Sequence, residues 1–133
     1  MNPYYAVVSK RAGYRCEYCR APEIVFNFPF EVEHIIPIAR KGKTDESNLA
    51  LACRSCNLRK GIRIGGNITA SPHEIQFFHP RKQIWSEHFK VDVESGQIVG
   101  ETLIGKVTVQ YLSMNASAQI AARKIWIHWS LFP

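Results

Sequence analysis

With 133 residues, 46% of them hydrophobic, the chain is long enough for one folded domain or a small domain with an appendage, and too apolar for a disordered tail. Lysine and arginine outnumber aspartate and glutamate by 17 to 11, and a net charge of +6 favours a polyanionic partner. No apolar run approaches the ~18 residues a membrane span requires, and Met1 to Val8 lacks the charged start and apolar stretch of a signal peptide, so a soluble, cytoplasmic protein is expected.

The charge is uneven. Residues 1–65 carry 11 basic and 6 acidic side chains, whereas residues 66–133 carry 6 and 5, so a polyanion should meet the first half. The plain alternative is a solvated basic face that aids solubility.

In chain order, residues 3–15 have a weakly helical pattern ending near Gly13, followed by Cys16 and Cys19. Phe26 to Ile38, rich in Phe, Val and Ile and punctuated by Pro29 and Pro37, suits an irregular strand pair. Arg40 to Ser47 is polar and contains Gly42, which predicts a loop. Leu49 to Ala52 suits a short strand, and Cys53 to Gly61 a short helix closed by its glycine. Gly65-Gly66 is the expected boundary between a first unit, 1–65, and an extension, 66–133. Beyond it, Val91 to Val99 alternates around Ser95-Gly96 and reads as a hairpin, and Val107–Leu112 reads as a strand. Asn115 is placed to cap a final helix through about Trp129, with Ile120, Lys124 and Ile127 on one face and Arg123 pointing elsewhere.

All four cysteines fall in Cys-x-x-Cys pairs, Cys16/Cys19 and Cys53/Cys56. Each pair can grip half of a tetrahedral Zn²⁺, and in a reducing compartment such pairs read as metal ligands before disulfides. Four thiolates leave no open position for substrate, so this metal should be structural. It would join the first helix to the Cys53 helix in a unit whose core alone is small.

Between the pairs lie Glu33-His34-Ile35-Ile36-Pro37 and then Asn48-Leu49; Cys53-Arg54-Ser55-Cys56-Asn57-Leu58-Arg59-Lys60-Gly61 follows. Over residues 11–61 this order resembles the HNH endonuclease family, in the branch whose ββα-metal unit lies between two zinc-binding cysteine pairs. The resemblance implies an α+β fold: a ββα-metal unit stapled by a four-cysteine zinc site, followed by a small α+β extension. It implies a metal-dependent hydrolase of phosphodiester bonds in DNA, with RNA left open. His34 would be the general base, Glu33 and Asn57 the ligands of a catalytic divalent cation, and Asn48 an architectural residue that pins the loop between the strands.

The side chains suit that chemistry. Hydrolysis of a phosphodiester needs a base for water, a cation for developing charge, and groups that position the phosphate. A neutral imidazole is available at physiological pH. The family's founding pattern has His in its first and last positions; Glu33 and Asn57 stand there in this chain and shift the expected cation toward Mg²⁺ or Mn²⁺. Lys60, one helical turn from Asn57, is expected to reach a phosphate oxygen, with Arg59, Arg54, Arg40, Lys41 and Lys43 along neighbouring phosphates. Lys60 as a helix-terminal lysine that favours the dipole is the structural alternative.

Residues 78–89 look similar to an extension found in one HNH subgroup, whose usual motif is Phe-Asn-Pro-Arg; His79 replaces the asparagine here. Its aromatic residues and near-neutral charge predict a second packing layer. Two other functions fit the same composition: a non-catalytic zinc module that binds nucleic acid, and a zinc-stabilised protein-interaction domain. Keeping Glu33, His34, Asn48 and Asn57 together argues against both, because binding alone needs no base beside two hard ligands.

Overall fold

A computed structural model describes residues 1–133. Helix α1 (Tyr5–Arg11) is shorter than the pattern predicted, because Gly13 and Tyr14 both take positive φ and turn the chain into the first cysteine pair. Of the apolar stretch Phe26 to Ile38, only β1 (Glu31–His34) is a strand. Its partner is β2 (Leu49–Ala52), antiparallel, with Glu33 opposite Ala50 and His34 opposite Leu49. All four residues of β2 are buried, which explains why Leu-Ala-Leu-Ala shows no polar alternation.

Helix α2 (Arg54–Lys60) follows at once. Cys53 is its N-cap, accepting from the Cys56 amide, and Gly61 closes it at φ 54°. The order β1, β2, α2 is the expected ββα unit.

Strand β3 (Gly65–Gly66) pairs with β4 (Ile75–Gln76), so the expected boundary falls on a buried, paired strand. Tyr111 lies against Gly66 so closely that any Cβ would strike its ring. Helix α3 (Trp85–His88) leads into the hairpin of β5 (Phe89–Asp92) and β6 (Gln97–Gly100), turned at Gly96 with φ 77°.

Residues 107–112 are not the strand their β-branched pattern predicts: they belong to helix α4 (Leu103–Tyr111) and its end. Thr102 caps it by accepting from the Gly105 amide at 3.1 Å. Val107 and Thr108 are buried and Ile104 and Tyr111 partly so, at helical spacing, which outweighs the local β preference.

Helix α5 (Ser117–His128) matches the predicted final helix in place, with two corrections. Asn115 is not its cap: that amide bonds both the N–H and the C=O of Ile98 on β6 (2.9 and 2.8 Å). Arg123 does not point away; it is the buried side chain of the helix, whereas Lys124 is exposed.

One cluster of 21 buried residues runs from Val8 to Met114, so the two halves share a core. No helix is long and apolar enough to cross a membrane.

Candidate active site and metal centre

The two cysteine pairs meet. All four sulfurs lie within 4.8 Å of one another, and Cys19 and Cys53 Sγ are 3.7 Å apart. A tetrahedron with Zn–S bonds of ~2.3 Å has sulfurs ~3.8 Å apart, so the spacing fits that ion. Both pairs make the same turn: the Cys19 amide donates to Cys16 Sγ at 3.5 Å and the Cys56 amide to Cys53 Sγ at 3.4 Å. The four are buried.

The residues inside each knuckle are held by the extension. Arg81 forms an ion pair with Glu17, and Trp85 Nε1 donates to the Tyr18 carbonyl at 2.7 Å, both between Cys16 and Cys19. Gln119 Nε2 donates to Ser55 Oγ at 2.9 Å, between Cys53 and Cys56. The aromatic residues of the extension do form a packing layer: Trp85 stacks on Phe89, and Phe89 meets Phe78 edge-on.

A separate pocket of about 370 Å³ opens beside β1 and the C-terminal end of α2. Glu33, His34 and Asn57 all line it, so three of the four residues expected to carry the chemistry are brought together. Alternation along β1 puts Glu33 and His34 on opposite faces of the strand. Glu33 points inward, where the Tyr18 hydroxyl donates to one oxygen and Lys60 Nζ sits 3.2 Å from the other. Burial pushes the Glu33 carboxyl above its usual range, and the Lys60 ammonium and Tyr18 hydroxyl oppose that shift. Tyr18 is pushed well above its own usual value by burial and the Glu33 charge, so it stays a hydroxyl donor.

His34 is half-buried, and its Nε2 lies 2.8 Å from Thr44 Oγ1. With Thr44 on Nε2, the other ring nitrogen is the one free to take a proton. Asn48 holds the intervening loop in three bonds: its Oδ1 accepts from the Ile36 amide at 2.8 Å, and its Nδ2 donates to the carbonyls of Ile36 (2.9 Å) and Lys43 (2.8 Å). Gly42 is required at the turn, because a Cβ there would run into the Ile36 carbonyl.

Asn57 Nδ2 donates to Glu31, leaving Oδ1 without a hydrogen-bond partner. Each Glu33 oxygen keeps a further acceptor position beyond its one donor. Glu33 and Asn57 thus offer two hard oxygen donors at one open pocket, a set that fits an ion which keeps several waters.

The expected phosphate contacts are placed unequally. Lys60 is enclosed, bonded to Glu33 and to the His34 carbonyl at 3.1 Å, so its position does not match the phosphate contact expected of it. Arg54 faces Glu31 at 3.4 Å, Arg59 donates to Ser113 and Arg40 to the Ile62 carbonyl, all at the surface. Lys41 and Lys43 are exposed on the loop that Asn48 holds. Sequence reasoning missed Thr44, Tyr18 and Glu31. Glu31 was findable, since it shares a strand face with Glu33 two residues on; Thr44 carried no signal apart from its loop.

No curated protein and no solved structure matches the chain. The family model described as HNH endonuclease matches residues 16–63, from the first cysteine of one knuckle to just past α2. The chain therefore carries an HNH endonuclease domain at residues 16–63, with four cysteines placed for the zinc site of the family's knuckle-bearing branch.

Proposed function

We propose that the protein is a metal-dependent endonuclease that hydrolyses phosphodiester bonds in DNA, with His34 as general base and a Mg²⁺ or Mn²⁺ ion on Glu33 and Asn57. One observation supports it above the others: His34, Glu33 and Asn57 line the same open pocket, and the His34 ring is held at one nitrogen by Thr44.

In this reading the protein's own groups act as follows. The ring nitrogen opposite Thr44 takes the proton of the attacking water. Thr44 holds the ring, its hydroxyl accepting from Nε2 in the tautomer that leaves the opposite nitrogen free for the proton, and Asn48 fixes the loop that presents Thr44. Lys60, beneath Glu33, gives that buried carboxyl a counter-charge and holds it in position. When bound, the divalent ion would supply charge stabilisation for the phosphoryl oxygens. Arg40, Lys41, Lys43, Arg54 and Arg59 are proposed to track neighbouring phosphates. Zinc on Cys16, Cys19, Cys53 and Cys56 would be structural.

The test is a plasmid-nicking assay with Mg²⁺ or Mn²⁺. His34→Ala should lower the rate by ~10²–10⁴ while zinc content and melting temperature hold, because the ring supports no core packing. Cleavage by His34→Ala at the wild-type rate would overturn the mechanism.

A second reading, a zinc-stabilised module that binds nucleic acid without cutting it, draws on the engagement of both Glu33 oxygens by Tyr18 and Lys60. DNA binding without nicking in either metal would favour it.

A further inference from the structure

A second pocket, about 260 Å³, lies where the loop between β1 and β2 meets the extension. Lys41, Lys43, Asp45 and Asn48 line it from the loop, and His79 and Lys82 from the turn before α3. Three lysines converge there against one carboxylate, and none of the three forms an ion pair. Asp45 is already spent on Ser47, whose amide and hydroxyl both donate to it. A surplus of two positive charges gathered in one concave site, with no carboxylate in ion-pair distance of any of the three lysines, is a site suited to an anion.

The rest of the pocket is built to stay in place. Its floor is the Asn48 amide with three backbone bonds, and Gly42 packs against the Ile36 carbonyl. On the far wall the Gln83 side chain accepts from the His79 amide at 2.8 Å, and the Lys82 and Gln83 amides donate back to the His79 carbonyl. The His79 ring accepts from the Arg81 amide through Nδ1 at 3.2 Å, so its proton is on Nε2 and the ring is a neutral donor. Burial and the Lys82 charge lower its pKa, consistent with that form. A neutral donor among three ammonium groups matches a phosphodiester oxygen better than it matches a cation or an apolar ligand.

We infer that this pocket binds a backbone phosphate of the DNA, and that His79 and Lys82 make the extension part of the substrate surface. The inference rests on the nuclease reading above and assigns a DNA-facing role to the half of the chain with little net charge. The pocket adjoins the reaction site through one loop: Lys43 and Asp45 flank Thr44, which holds His34.

The experiment has two arms. Wild-type plasmid nicking tests the nuclease reading by itself. Binding of a labelled duplex is then followed across 50–200 mM KCl in the His34→Ala background, where the DNA stays intact, with and without Lys82→Gln. Lys90→Gln, exposed on β5, is the control. Loss of one phosphate contact should lower the slope of log K against log salt by about 0.9 for Lys82→Gln and leave Lys90→Gln unchanged. In the active enzyme, Lys82→Gln should raise KM and leave kcat alone, since a remote phosphate contact is the same in ground and transition states. Nicking by wild type with identical slopes for Lys82→Gln and its parent overturns the pocket and leaves the nuclease intact. Absence of both nicking and DNA binding overturns both.

Discussion

Thr44 shows how much a single side chain can carry without leaving a mark in the sequence. It stands in a run of polar loop residues, exposed, and its one notable property is a hydroxyl 2.8 Å from His34 Nε2. Removing it with Thr44→Val should slow cleavage about tenfold, the equivalent of one hydrogen bond of ~1.4 kcal/mol, by freeing the ring to rotate. Thr44→Ser should keep most of the rate. DNA affinity and melting temperature should stay at wild-type values in both, and a fall in either for Thr44→Val would make its role structural. The placement of His34, Glu33 and Asn57 around one pocket, with Asn48 holding the loop, follows spacing that a short ββα path constrains. Thr44 is constrained only by where a polar loop returns, which spacing does not reveal.

Between elements, the contact of β1 with α2 turns on the Glu33–Lys60 pair. Their side chains are 6% and 2% exposed, so neither charge can fall back on water. Lys60→Met should cost about 3–5 kcal/mol, out of a total stability of ~5–15 kcal/mol for a typical domain, because Glu33 is left buried without a counter-charge. Glu33→Gln added to Lys60→Met should recover much of it. Urea denaturation of the two proteins checks this, and equal midpoints for the single and double variants would remove the charge argument. The helix itself was legible from its closing glycine; its cysteine cap was not foreseen. The inward turn of Lys60 was not, since periodicity puts it at the helix end where lysines usually face solvent. Helix α4 was missed for a related reason: Val107, Thr108 and Val109 favour a strand locally, and only the Thr102 cap and the apolar face formed by Ile104, Val107, Thr108 and Tyr111 decide otherwise.

Across the whole molecule, the cysteine cluster is the meeting point of the two halves. Arg123 of α5 lies in its neighbourhood: the side chain is fully buried, bonds the carbonyls of Gly96 and Met114 at 2.7 and 2.8 Å, leaves Nε without a partner, and has no carboxylate in ion-pair reach. Burial lowers its pKa, and the nearby Cys19, Cys56 and Cys53 oppose that shift. A zinc tetrathiolate carries two negative charges, so Arg123→Met should weaken zinc retention by about 10–100-fold, the usual scale for a group behind a metal's ligands. Zinc release to a chromophoric chelator measures it. Arg123→Lys should retain most of the affinity, and equal release from wild type and Arg123→Met would show that Arg123 only packs. Nothing along α5 foretold this, because a lone arginine at helical spacing reads as solvated. The knuckle clamps have a further consequence for the order of events during synthesis. Glu17 and Ser55 are each held by a residue 64 positions later, Arg81 and Gln119. The fourth cysteine has therefore emerged from the ribosome while both clamps are still unmade, and a zinc ion captured at that stage would be held by sulfur alone.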